Sequence, residues 1–103
     1  MLNKITIALV LSSISFVSLA NQITTPKIVK RIFSEGSTTA GFYTVEGISE
    51  CKWGIMYLNL STESGKGMFS QVLAAKSAGF KVVRIDYTVS TSGTCQASGL
   101  HIE

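Results

Sequence analysis

The stretch SGKGMFSQVLAAKSAGFKVVRIDYTV, Ser64–Val89, decides the fold, because its apolar residues change period halfway along. Met68, Phe69, Val72, Leu73 and Ala75 recur at helical spacings and form one stripe. Ser64 in front of them suits an N-cap, and Gly79 behind them suits the left-handed residue that ends a helix. From Val83 the period is two. Val83, Ile85, Tyr87 and Val89 fall on one side of a strand, with Arg84, Asp86 and Thr88 on the other. A helix this short is marginal alone in water, so its stripe must lie on a sheet.

The residues before it supply that sheet. Asn21 to Lys27 is polar and reads as a flexible lead-in ended by Pro26. Ile28 to Ser34 alternates, with Ile28, Lys30, Ile32 and Ser34 facing one way and Val29, Arg31 and Phe33 the other. After the turn cluster Glu35 to Thr39, Gly41 to Gly47 forms a second strand and the partner of a hairpin. Lys52 to Leu60 is a third strand, apolar on both sides, which places it centrally or at an interface. Beyond Val89, Ser90-Thr91-Ser92-Gly93 turns the chain into a last strand, Cys95 to Ile102, weakened by Gly99.

The order is strand, strand, strand, helix, strand, strand. It predicts a mainly β domain with one helix, and the solution that removes sheet edges is a five-stranded OB-like barrel plugged by the helix. A flat five-stranded sheet with the helix on one face is the second solution.

Lys4 and the apolar run Ile5 to Leu19, with Ser18-Leu19-Ala20 before a cleavage point, predict a secretory signal peptide over residues 1–20. The remainder, residues 21–103, is one small domain, placed in the periplasm or outside the cell. No later stretch is apolar enough to span a bilayer. Without Lys4 the domain carries a net charge of about +2, and its basic residues are scattered apart from Lys27, Lys30 and Arg31. Nucleic acid would require a denser basic footprint. Cys51 and Cys95, the only cysteines, read as a disulfide in an exported domain of this size.

Constellations for catalysis are sparse. His101 is the only imidazole, and Ser98, close to it in sequence, lacks a third group or a G-x-S-x-G setting. The carboxylates form no spaced pair, Gly65-Lys66-Gly67 is too little for a phosphate loop, and no cofactor or metal ligand set is present in the pattern. The aromatics say more. Tyr43, Trp53, Tyr57 and Tyr87 all fall on predicted strands, where half-buried rings stack on sugar faces or anchor protein interfaces.

Ile28-Val29 with Ile32-Phe33, then Gly41-Phe42-Tyr43, Glu46-Gly47, Trp53-Gly54, and the run Met68 to Ala78 leading into Val83-Arg84-Ile85-Asp86-Tyr87 are similar to one family. The chain resembles the pentameric B subunits of bacterial A-B toxins, of the subtilase-cytotoxin type. The resemblance implies the OB-like build, a homo-oligomer, a secreted enzymatic partner subunit and a glycan pocket. In that pocket Tyr87 matches the family's tyrosine, while Thr25, followed by Pro26, stands where the family has a serine. The cysteine spacing differs from the family's. The expectation is an exported, non-enzymatic domain that binds a cell-surface glycan or a partner protein. The alternative is a small envelope accessory protein with no ligand of its own.

Overall fold

Where the strand after the helix begins, Val82 exchanges both backbone hydrogen bonds with Lys27, at 2.8 and 2.9 Å, and so ties the first residues of the domain to its middle. The computed structural model describes residues 21–103; the predicted signal peptide lies outside them. Its elements are β1 (Asn21–Ile23), β2 (Val29–Glu35), β3 (Thr39–Thr44), β4 (Met56–Asn59), α1 (Glu63–Ala78), β5 (Val82–Val89) and β6 (Cys95–Ile102). They form a six-stranded sheet in the order β1-β5-β6-β4-β3-β2, covered on one side by α1. All neighbours are antiparallel except β4 and β6.

Two expectations change here. The domain has six strands, not five, and the sheet is not closed into a barrel. The supposed lead-in is itself a strand: Asn21, Gln22 and Ile23 pair with Tyr87, Asp86 and Ile85, and Ile23 is buried. Its polar residues Asn21 and Gln22 are tolerated because both side chains are exposed. Pro26 has no N–H to give a ladder, and the chain leaves regular pairing between Ile23 and Lys27. It then resumes on the far edge of the sheet as β2.

The helix begins earlier than Ser64. Thr62 is the N-cap: its Oγ1 accepts from the Gly65 N–H at 2.9 Å and donates to the Asn59 carbonyl at 3.1 Å. Gly65 is buried against that carbonyl, and any Cβ there would collide with it. The residue is a packing requirement. Gly79 ends the helix in the left-handed region (φ 80°), as its place in the sequence suggests. Met68, Val72 and Ala75 enter the core, whereas Leu73, 45% exposed, lies off the buried stripe. Gln71 Nε2 donates to the Leu100 carbonyl at 3.1 Å, occupying an edge group of β6 where that strand no longer pairs with β4.

β-Bulges redistribute the side chains. In β2 the register shifts between Val29 and Arg31, so Lys30 is an extra residue. Val29 and Ile32, expected on opposite faces, therefore both pack on the core, and Arg31 and Phe33 share the outside. In β5 the shift between Val82 and Arg84 puts Val82 with Ile85 and Tyr87 in the core and leaves Val83 half-buried.

The expected strand from Lys52 is cut short. Lys52–Gly54 is a 3-10 turn, closed by Gly54 N–H to the Cys51 carbonyl and Ile55 N–H to the Lys52 carbonyl. Cys51, just before it, is bonded to Cys95 at the head of β6. The disulfide sits beside the one parallel junction, where only Met56 with Cys95 and Tyr57 with Gln96 are paired.

Candidate binding face

The outer face of the sheet, away from α1, carries an aromatic cluster built around a glycine. Phe33 on β2 is opposite Gly41 on β3, and Gly41 is opposite Tyr57 on β4. Strands two apart in a sheet are separated by about 9.6 Å, too far for side chains to meet over an intervening residue that stands up between them. Gly41 has none. The Phe33 ring lies across it, with Cζ at 2.8 Å from where a Cβ would stand, and meets the Tyr57 ring edge-on at 5.8 Å. Tyr43 closes the cluster at 6.0 Å from Phe33. The Arg31 guanidinium lies over the Tyr43 ring, 5.1 Å from its centroid.

Arg31, Phe33, Tyr43 and Tyr57 line a shallow depression of about 150 Å³, with Ile55 and Glu35 completing its walls. Two further depressions adjoin it. One, of about 210 Å³, is lined by Lys30, Arg31, Tyr43 and Thr44; the other, of about 240 Å³, shares Tyr57 and reaches Thr39, Thr94 and Gln96. Ring faces, hydroxyls and a cation thus follow one another across four strands. Chemically this face can stack on a ring or a saccharide and hydrogen-bond at its margins. Among the described residues no three His, Cys, Asp or Glu side chains gather as a metal site.

The residues expected to hold a glycan lie elsewhere. Tyr87 is 4% exposed and packs in the core, where burial first, and the negative charge of Glu50 second, push its phenol above the usual tyrosine range. Thr25 is exposed in the segment between β1 and β2. Tyr87 is opposite Asn21, so Thr25 is four residues further along, about 13 Å at strand rise. The fold does not bring the two together. Tyr43 and Tyr57 were legible as candidates, but Arg31, Phe33 and Gly41 were not. The signal that could have found them is the apolar residues on both faces of the first and third predicted strands.

Trp53 stands apart. It is on the 3-10 turn rather than a strand, 68% exposed, with Lys52 Nζ 4.6 Å from its ring centroid. Its φ of 60° is the only positive one among non-glycine residues described. A bulky residue there costs roughly 1–2 kcal/mol. Asparagine tolerates that conformation, so Trp53→Asn should melt at the same temperature as the parent or a few degrees higher. A clear fall in the thermal melt would show that the indole supports the fold.

The fold and this face define a small disulfide-stapled β domain with a half-buried aromatic platform on its outer face. Comparison with protein-family models, curated proteins and solved structures finds no match to the chain.

Proposed function

We propose that this chain is an exported, non-enzymatic binding domain of the toxin-B-subunit kind, which recognises a cell-surface glycan through the outer face of β2, β3 and β4. The observation that carries this is the Phe33–Gly41–Tyr57 arrangement with Tyr43 beside it, rings displayed on the solvent side rather than in the core. Export is supported by the apolar N-terminal sequence and by the disulfide. The OB-like reading is supported by the strand order. If β1 and β2 are two halves of one strand broken near Pro26, the order runs as an OB-type barrel does. β2 is an edge of seven residues, where a second copy could add its own strand to form a homo-oligomer. An enzymatic subunit secreted with it is the partner this class implies.

The test is a glycan array probed with mature protein, whose mass in solution is first read by light scattering. A mass above the monomer's is expected. Tyr43→Ala should weaken the bound glycan at least about fivefold, as loss of an interface aromatic does, with the circular dichroism spectrum unchanged. An array with no bound glycan, or one indifferent to Tyr43→Ala, counts against the proposal.

A further inference from the structure

The bulge in β2 does more than reset the core. In a regular strand Lys30 and Arg31 would point to opposite faces. Because Lys30 is the extra residue, both line the same depression beside Tyr43. Both are exposed, and Arg31 is held over the Tyr43 ring. The ion pairs found among the described residues are Lys66 with Glu63 and Arg84 with Asp86, so neither Lys30 nor Arg31 takes part in one. No acid lines this depression; Glu35 lines the adjoining one together with Arg31, without forming an ion pair with it. Two cations outside any ion pair therefore stand next to the aromatic cluster.

We propose that Lys30 and Arg31 form an anion subsite that takes the sulfate groups of a sulfated saccharide chain. This rests on the outer face being the glycan-binding surface. The choice of a polyanion follows from magnitude. An exposed ion pair changes an affinity by only about 1.4- to 5-fold, so a saccharide with one carboxylate gains too little from this shallow face. A chain carrying several charges engages both cations at once and sheds counterions condensed along its own length. Rings between the charged groups then lie on Tyr43 and Phe33.

A sulfated hexasaccharide prepared from heparin is the probe, titrated against mature protein at several salt concentrations. Lys30→Gln with Arg31→Gln should weaken it by between about 2- and 30-fold at low salt, the sum of two exposed pairs. The slope of log affinity against log salt should become shallower by about 1.5, as expected for two lost charge contacts on a polyanion. Lys66→Gln with Lys76→Gln removes the same net charge from α1 and should leave both values near the parent's. An equal loss in this control, or no binding of the hexasaccharide by the parent, overturns the subsite. Binding to phosphatidylserine vesicles that falls by the same factor in the Lys30/Arg31 variant would assign the cations to a lipid surface and overturn it too. Neutral glycans that depend on Tyr43 but not on Lys30 and Arg31 would sink the subsite while leaving the binding face intact.

Discussion

Replacing Cys51 and Cys95 together by alanine should lower the stability of the domain by about 4 kcal/mol. That is the chain-entropy value for a closed loop of this length, the two cysteines being 44 residues apart. The structure adds a local reason. The bond lies beside the β4–β6 junction, which has only two paired positions, and both cysteines are buried with the core. A domain of this size has only a few kcal/mol of margin, so the variant should be largely unfolded near 37 °C. In a thermal melt the midpoint should drop by roughly 15–30 °C, at 4–8 °C per kcal/mol for so small a chain. A drop of only a few degrees would mean that the sheet holds that junction without the covalent link. Alkylation of the unreduced protein followed by intact mass should add nothing, and two added alkyl groups would exclude the bond.

Tyr87 carries the second large effect. Its ring fills the core opposite Ala97 on β6 and Asn21 on β1. Truncation to alanine should cost about 3–5 kcal/mol, the range for removing a buried aromatic side chain. Tyr87→Phe keeps the ring and should move the melting midpoint by only a few degrees. The pair of variants also decides whether this residue touches a ligand. If Tyr87→Phe folds as the parent does yet loses the array signal, its hydroxyl belongs to the site, and the outer face is not the whole of it. The expected result is unchanged binding.

Much of the candidate site was half legible. Composition and alternation alone mark Tyr43 and Tyr57 as strand aromatics. Their meeting with Phe33 is not marked, because it depends on which residue of β3 lies between them. Only the register of three strands makes that residue Gly41. Trp53 lies on a turn rather than the expected strand for a different reason. Its neighbours have strand propensity, but the hydrogen bond from Lys52 N–H to the Gly93 carbonyl and the disulfide at Cys51 hold the segment in a turn. Propensity gives way there to contacts far away in the chain.

What the sequence determined by itself was local or covalent. It placed the helix and its glycine stop at Gly79, the last strand from Cys95 to Ile102, and the pairing of the only two cysteines. Each follows from periodicity, a backbone conformation or a count. The tertiary structure alone decided the sixth strand at Asn21–Ile23, the opening of the sheet near Pro26, and the faces of Lys30, Val29 and Ile32. Those depend on backbone hydrogen bonds between strands distant in sequence. One extra residue in β2 exchanges inside for outside on everything beyond it, and a pattern read along a single strand carries no record of its partner's register.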